Sequence, residues 1–320
     1  MPAPVLLDAR SAALPRTTGW ERYARALVRS ARAVGGIDTF NWGAANKVTH
    51  LLSDTVGLPW AARGRKLTYF PSYPPGATFP LARAAVTQHD ATYWKLTGAA
   101  SVQSDLYFRR LFERTFKAAA VIVTVSESSA ADLGELTQRP IRIVSNVVTI
   151  DDVTPVPLSN PKPYFLAVGS IEPRKNLRGL AAAFDRSGLA NQFDLLLIGR
   201  QAWGELPDGI RYLGPVEDPA LRGAYEGATA LFAASFYEGW GLPIAEALAV
   251  GTPVYCSDIP PFKESSQGSA SAFFDPHSLD AMVDAFRAAA EPAPRPTPVN
   301  NYRPERQQAE FAAVLEEFAR

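Results

Sequence analysis

The sequence predicts an α/β protein with two domains in tandem, each built around a parallel β-sheet. Its 320 residues exceed what one core usually supports, since a domain takes roughly 100–200 residues. Short apolar runs alternate with helical patterns in both halves, which is typical of βαβ units and parallel sheets. Two proline-rich stretches, at 155–163 and 292–298, interrupt this alternation and indicate linkers, because proline lacks a backbone donor.

Several segments have the length and composition of buried strands. They lie at 5–7, 120–125, 141–144, 164–168, 193–198 and 253–256. One helix is predicted at 23–33. Two further sets show the spacing of one helical face: Leu177, Leu180, Ala181 and Phe184, and Phe311, Val314, Leu315 and Phe318. The second set predicts a closing amphipathic helix over 303–320.

The proline-rich stretches predict where the domains begin and end. The N-terminal domain would cover 1–155, the C-terminal domain 156–300, and the closing helix 301–320. Open parallel sheets bind ligands in a crevice at the carboxyl ends of their strands. We therefore expect the ligand site at those strand ends.

Charge, cysteine content and hydropathy exclude several classes of protein. The 32 basic and 32 acidic residues cancel, which argues against nucleic acid or anionic lipid binding through charge accumulated over the whole molecule. The single cysteine, Cys256, cannot form an internal disulfide and fits a reducing compartment. The N-terminus lacks the pattern of a signal peptide, and no run of about 18 apolar residues could span a bilayer. We expect a cytoplasmic protein without a transmembrane segment, with peripheral membrane contact left open.

Common cofactor and metal motifs are missing from the sequence. No Gly-x-Gly-x-x-Gly follows a predicted strand, and no P-loop is found. No Asp-x-Asp pair is present, and the histidines at 50, 89 and 277 are too scattered to suggest a metal cage. We therefore expect neither a bound metal nor a cofactor, and chemistry carried by backbone amides, carboxylates and basic side chains.

The first candidate constellation lies at 167–177. A buried strand ends at Gly169, and Pro173 suits the first turn of a following helix, with Arg174 and Lys175 beside it. Helix N-termini ordinarily favour acids, so two cations there concentrate positive potential that suits a diphosphate. The alternative is a pair of solvated cations on a helix.

The second constellation lies at 235–253. Gly239 and Gly241 permit close approach of the backbone to a ligand, and Pro243 fits the first position of a short helix. The free amides of that helix would form a second anion site. Glu238 and Glu246, eight residues apart, would reach different parts of one extended ligand. Solvated carboxylates are the alternative.

Segment 238–246 resembles the Glu-x7-Glu signature of retaining glycosyltransferases of family 4. That family has the GT-B fold, in which two Rossmann-like α/β domains face a central cleft and a C-terminal helix crosses back to the first domain. The similarity also extends over 169–176, 198–200, 211–216 and 237–257. The variant at 172–176 resembles that of mannosyl- and rhamnosyltransferase-like members.

The resemblance implies a role for each matching residue. Arg174 and Lys175 would hold the donor diphosphate and stabilise the leaving group, Glu246 would bind the ribose hydroxyls, and Glu238 would contact the donor sugar. The complete implied donor set is Gly169, Arg174, Lys175, Gly199, Arg200, Leu213, Val216, Glu238, Gly239, Trp240, Gly241, Leu242 and Glu246. Sites of this family work without a metal.

The N-terminal half resembles the family less closely. Its loop at 17–23, with Gly19 and Trp20, is similar to a glycine-containing loop that faces donor and acceptor in the family. His89 matches a histidine near the transferred sugar and is the fourth predicted catalytic residue, beside Arg174, Lys175 and Glu238. Tyr93 is a candidate for an aromatic acceptor platform. A structural histidine and core aromatic residues are the alternatives.

The resulting expectation is a retaining, metal-independent glycosyltransferase. It would move a hexose-type sugar of the mannose, rhamnose or glucose class from a nucleoside-diphosphate sugar and form an α-linkage. The acceptor hydroxyl would belong to a saccharide, a lipid-linked saccharide or a natural product, and not to a nucleic acid. A nucleotide-sugar epimerase or hydrolase on a similar fold, and a non-catalytic nucleotide-sugar binding module, are alternative hypotheses.

Overall fold

The computed structural model describes residues 4–14, 19–42, 49, 52–96 and 102–319. The chain divides into two compact units. The first comprises Met1–Val147 together with Tyr302–Arg320, and the second comprises Val148–Asn301. Each is an α/β unit with its own parallel sheet, as the alternation of strands and helices predicts.

Within the described residues, the first unit contains a six-stranded parallel sheet in the order β2-β1-β3-β4-β5-β6. Its strands are β1 (Val5–Asp8), β2 (Ile37–Phe40), β3 (Leu67–Phe70), β4 (Ala84–Thr87), β5 (Val121–Thr124) and β6 (Ile141–Ile143). Four of these strands, β1, β3, β4 and β5, are buried along their whole length, which explains why they read as continuous apolar runs rather than alternating ones.

Helices connect these parallel strands. Among the described residues they are α1 (Gly19–Val34), α2 (Leu58–Ala61), α3 (Thr92–Lys95), α4 (Val102–Ala118) and α5 (Glu127–Gly134), and a π-helical turn at Ser53–Gly57 runs directly into α2. Ser126 caps α5, because its side chain accepts the backbone N–H of Ser129 at 3.0 Å.

The second unit also has a six-stranded parallel sheet, in the order β12-β11-β10-β7-β8-β9. Its strands are β7 (Tyr164–Val168), β8 (Asp194–Ile198), β9 (Arg211–Gly214), β10 (Ala230–Ala233), β11 (Val254–Ser257) and β12 (Ala272–Phe274). Its helices are α6 (Leu177–Ser187), α7 (Asp218–Gly227), α8 (Leu242–Ala249), α9 (Pro260–Ser266) and α10 (Leu279–Ala290).

Aromatic rings fill one side of the second sheet. Phe232 of β10 stacks on Phe286 of α10 with the ring centroids 4.0 Å apart, and Phe165 and Phe184 meet the same ring. Each such ring removes a large apolar area from water, so this cluster contributes much of the hydrophobic stabilisation of the unit.

The last helix, α11 (Pro304–Phe318), belongs to the first unit and packs against α1. Phe311 is fully buried there, as the predicted apolar face requires. Gln307 is also fully buried: it accepts a hydrogen bond from Ser30 at 2.9 Å and donates one to the carbonyl of Ser145 at 2.8 Å. The predicted return of the last helix to the first domain is confirmed.

The structure differs from the sequence prediction at the proline-rich stretches, which both lie along the second unit. The backbone N–H of Val156 donates to Pro219 at 2.9 Å, and Val299 donates to Leu248 at the same distance. Arg295 donates to the carbonyl of Ala228 at 2.8 Å. The chain passes between the units at 147–148 and 301–302, beyond both stretches.

One glycine permits the first proline-rich stretch to pack closely. A Cβ added at Gly223 of α7 would overlap the carbonyl oxygen of Val156. We predict that Gly223→Ala lowers the free energy of unfolding by about 1–3 kcal/mol through overpacking.

Gly134, the last residue of α5, provides the matched control, because a Cβ there meets nothing within 4 Å. Gly134→Ala should leave stability unchanged or raise it by about 0.5–1 kcal/mol, as alanine favours helix. Urea unfolding of both variants measures the difference. Equal stability of the two would contradict the close contact at Gly223.

Candidate functional site

Three glycines line the carboxyl ends of neighbouring strands in the second unit. Gly169 follows β7, Gly199 follows β8 and Gly214 ends β9. The N–H of Gly169 donates to Ile198 at 2.9 Å, and that of Gly199 donates to Gly214 at 3.0 Å. Gly199 has φ 153°, and a Cβ there would overlap the carbonyl oxygen of Gly169. Only glycine fits at this position, so the strand ends lie unusually close together.

The turn after β7 carries the two predicted cations. Arg174 and Lys175 lie in a single 3-10 turn, Pro173–Lys175, and α6 begins only at Leu177. The prediction that they flank the first turn of an α-helix is therefore wrong. The break occurs at Asn176, which adopts a left-handed conformation (φ 53°) and donates its side-chain amide to Pro276 at 2.9 Å.

Four charged side chains form what we call the ion cluster: Glu172, Arg174, Lys175 and Glu238. The Lys175 Nζ lies 2.6 Å from Glu238 Oε1, and a guanidinium nitrogen of Arg174 lies 2.6 Å from Glu238 Oε2. Arg174 Nε also donates to Glu172 at 2.7 Å. Two positive and two negative charges meet here. The predicted concentration of positive potential is thus balanced by carboxylates within the same cluster.

Glu238 is held in its ionised form. It is 8% exposed, and Ser235 donates to its Oε1 at 2.8 Å. Burial alone would raise the pKa of Glu238, but the ion pairs with Arg174 and Lys175 outweigh burial and lower the pKa to about 2. The carboxylate therefore remains negative throughout the physiological range.

The loop at 235–241 joins this cluster to α8. The N–H of Phe236 donates to the carbonyl of Arg174 at 2.9 Å, which ties the loop to the cation-bearing turn. Gly241 has φ 121°, and a Cβ there would lie 2.7 Å from Ser265 Oγ. Pro243 occupies the first turn of α8, as predicted. Gly239 and Trp240 are buried within the loop, and Leu242 is half-buried.

The second glutamate of the pair has a different environment. Glu246 lies inside α8, is 3% exposed and accepts a hydrogen bond from the Tyr225 hydroxyl at 2.9 Å. The predicted role of Glu246 toward a ribose stays a prediction. Tyr225 itself follows from no motif in the sequence.

A small cavity of about 30 Å³ opens beside the ion cluster. Its polar lining comes from Ser170, Lys175, Ser235 and Glu238, and apolar side chains such as Ile244 provide much of the remainder. The predicted residues Gly169 and Gly241 also line it.

The remaining predicted donor residues lie around the carboxyl ends of β8 and β9. Arg200 is exposed and its carbonyl accepts the N–H of Ile171 at 3.0 Å. Leu213 lies in β9, Val216 follows it, and both are half-buried. Their part in binding the donor stays a prediction.

In the first unit, the structure brings two of the predicted residues together. The ring of His89, just after β4, stacks on Trp20 at 5.5 Å and meets the edge of Tyr23 at 4.9 Å. Its Nε2–H donates to the carbonyl of Pro71 at 3.1 Å. Burial lowers the pKa of His89 to about 4, although the bond to Pro71 acts in the opposite direction. His89 is therefore neutral at physiological pH.

The other acceptor-side candidates are less closely associated. Gly19 begins α1 and is exposed, whereas the preceding Thr17 and Thr18 lie outside the described residues. Tyr93 packs against a core cluster, where its ring lies 5.7 Å from that of Phe112. Packing in the core is the alternative to the predicted acceptor platform.

Sequence reasoning missed the counter-ions and hydroxyls of the ion cluster. Glu172 is buried and pairs with Arg174 at 2.7 Å, while Ser170 donates to the other oxygen of Glu172. The short spacing between Ser170, Glu172 and Arg174 was a signal for such local pairing. Ser235, three residues before Glu238, carried the same kind of signal.

The described residues contain neither a candidate metal site nor a candidate membrane span. No group of three or more His, Cys, Asp or Glu side chains in this part of the chain could hold a metal ion. No helix among the described residues is both long and apolar enough to cross a membrane.

Sequence comparison identifies a family match and relatives of this chain. Residues 151–303 match the family model described as "Glycosyl transferases group 1". The chain is 31% identical over 228 residues to O-antigen chain mannosyltransferase B of Escherichia coli, an alignment that covers 63% of this chain and 60% of that protein. It is 30% identical over 202 residues to O-antigen chain mannosyltransferase RfbU of Salmonella typhimurium, covering 58% and 56%. The chain thus spans less than two thirds of the length of these relatives.

Structural comparison covers nearly the whole chain. The solved structure of sucrose-phosphate synthase from Thermosynechococcus elongatus matches 99% of this chain and 96% of its own, with a TM-score of 0.67 and 18% identity. At that identity the likeness concerns the fold alone. The GT-B fold implied by the sequence resemblance is therefore confirmed.

The ion cluster predicts a specific dependence of stability on pH. The pKa of Glu238 is about 2 in the folded protein, against 4.5 for an ordinary glutamate. Its stabilising contribution is therefore complete above pH 4.5 and is lost as the pH falls toward 2. The full contribution is up to about 3 kcal/mol.

Urea unfolding of the wild type and Glu238→Gln between pH 7 and pH 3 measures this effect. We expect the stability difference between them to shrink as the pH falls below 4.5. Glu291→Gln, at an exposed position, serves as the control and should show no such trend. A Glu238→Gln difference that is independent of pH would contradict the ion pairing.

Proposed function

We propose that this protein is a glycosyltransferase that takes a hexose-type sugar from a nucleoside-diphosphate donor, because residues 151–303 match the Glycosyl transferases group 1 family. The acceptor is a hydroxyl group in glycan or glycoconjugate biosynthesis, and mannose is the first donor sugar to test, because two relatives are named as mannosyltransferases. Transfer proceeds with retention and without a metal, giving an α-linkage, as in family 4. The buried single cysteine supports a reducing, cytoplasmic location.

The observation that carries this proposal is the ion cluster at the carboxyl ends of β7 and β10. Lys175 lies directly against Gly169, since its Nζ would be 3.2 Å from a Cβ added there. A leaving diphosphate develops negative charge as the glycosidic bond breaks. Glu238 holds both Lys175 and Arg174 at this strand end, and such preorganised cations can stabilise developing charge effectively.

The proposal assigns further roles around the cluster. The first turn of α8 contains no acidic residue, so the helix dipole there would favour a distal phosphate or sugar oxygen. Glu238 accepts hydrogen bonds from sugar hydroxyls, and Glu246 accepts them from the ribose. The cations supply the positive charge that a divalent metal supplies in other transferases.

The proposal places the donor on the second unit and the acceptor on the first. By the family resemblance, His89, held neutral, is assigned to the transferred sugar, and Gly19 and Trp20 are assigned to the acceptor side. The acceptor is a saccharide, a lipid-linked saccharide or a natural product.

Substitution of the two cations tests their role directly. We expect Arg174→Ala or Lys175→Ala to lower kcat/KM by the equivalent of about 2–4 kcal/mol, the usual loss on removing one preorganised donor. Arg178→Ala is the matched control, because Arg178 is exposed on the same segment one turn away. Near-normal transfer by both site variants would refute the proposed role.

A second experiment identifies the donor and the reaction. A thermal-shift panel of nucleoside diphosphates and nucleotide sugars should show stabilisation by the true donor, by roughly 2.7 kcal/mol at 100 times its dissociation constant. Transfer with that donor should persist in excess chelator, and NMR of the product should show an α-anomer. Loss of activity restored by manganese would refute metal independence, and epimerised or hydrolysed sugar without acceptor would favour the alternative enzyme classes.

A further inference from the structure

An exposed apolar stripe runs along the segment of the first unit that leads from β2 to β3. It consists of Leu52, Val56 and Trp60, which recur at every fourth residue, and 49%, 63% and 70% of their surfaces are exposed. Trp42, 52% exposed, extends it, because the Trp42 ring occupies the space where a Cβ of Gly57 would lie. Single exposed apolar residues are ordinary, but an aligned group of this kind marks an interaction site.

The opposite side of the same segment is fixed to the unit. Ser53 and Leu58 are fully buried, and Leu58 belongs to a core cluster with Phe70 and Phe79. Ser53 Oγ donates to the carbonyl of Trp42 at 2.7 Å. The segment is therefore anchored by one face, and the stripe is the face that remains outside.

Cations lie at the end of the stripe. Arg63 follows Trp60 within one turn, with its N–H donating to the Trp60 carbonyl at 3.1 Å, and Lys66 comes three residues later. Arg83 joins them, because its guanidinium donates to the carbonyl of Arg65 at 3.2 Å. All three of Arg63, Lys66 and Arg83 are exposed, and no acidic partner is found for them among the described residues.

Two acids of β2 and of the segment after it already have basic partners. Asp38 is paired with Arg65 at 2.6 Å, and Asp54 is paired with the buried Arg10 at 2.7 Å. The local excess of positive charge therefore persists, even though the whole chain has zero net charge.

We propose that the apolar stripe and its three cations dock the first unit on an anionic lipid surface. Tryptophan favours the boundary between lipid headgroups and acyl chains, and aliphatic side chains such as Val56 and Leu52 favour the acyl region. Cations beside them attract lipid phosphates. A nucleic acid would match the cations but would leave the aliphatic side chains exposed to water. The proposal does not depend on the proposed sugar transfer.

Vesicle co-sedimentation tests this docking. The wild type should bind phosphatidylcholine vesicles containing about 30% phosphatidylglycerol more tightly than pure phosphatidylcholine vesicles, and about 0.5 M salt should weaken that preference. The Arg63→Ala, Lys66→Ala double variant should bind the anionic vesicles about 25-fold more weakly, at about fivefold per cation. Val56→Ser with Trp60→Ser should reduce binding to both kinds of vesicle, by roughly tenfold or more.

Trp203 provides the matched control, because it is half exposed but lies in the second unit. Trp203→Ser should bind vesicles like the wild type, and thermal melting of every variant should match the wild type. Equal binding to neutral and anionic vesicles, or wild-type binding by the stripe variants, would overturn the proposal. Self-association without lipid that Val56→Ser with Trp60→Ser abolishes would overturn it as well, since the stripe would then be an interface between copies of the chain.

Discussion

The second unit depends on the balance of charge around one buried carboxylate. Glu238 lies on a loop that is more than sixty residues from Arg174 and Lys175 in the chain, yet both cations lie 2.6 Å from it. Burying any of these charges alone would cost several kcal/mol, so each is stable only with its partners. The ion pairs therefore join the loop before α8 to the turn after β7. The segments at 167–177 and 235–253 form a single site because the cations of the first pair with the carboxylate of the second.

The backbone around this site is as constrained as its charges. Gly199 must be glycine because the carbonyl of Gly169 occupies the space of a side chain, and Gly241 must be glycine because Ser265 and Phe262 do. The left-handed Asn176 stops the cation-bearing turn from continuing into α6. Lys175 is thereby directed back over Gly169, at the strand end, rather than along the surface of a helix.

The sequence predicts features that depend on local composition and fails where distant contacts decide. The buried strands β7 and β8, the turn to α8 at Pro243 and the closing helix follow from apolar runs, proline positions and periodicity. The interruption at Asn176 does not, because a side-chain bond to Pro276 of another segment stabilises it. The stripe at 52–60 does not follow from the sequence, because which apolar side chains stay exposed depends on how the segment packs on the rest of the unit. No local pattern shows that Glu238 neutralises Arg174.

The neutrality of the ion cluster has a consequence for the proposed donor. A diphosphate brings negative charge to cations that already have carboxylate partners, so it must replace some of those contacts rather than fill an empty anion site. When a phosphate replaces Glu238 as the partner of Arg174 or Lys175, one carboxylate oxygen of Glu238 loses its ion pair. That oxygen is then available to accept a hydrogen bond from a sugar hydroxyl. Under the proposed function, phosphate binding and sugar binding are therefore coupled through Glu238, a coupling that a neutral amide at this position would weaken.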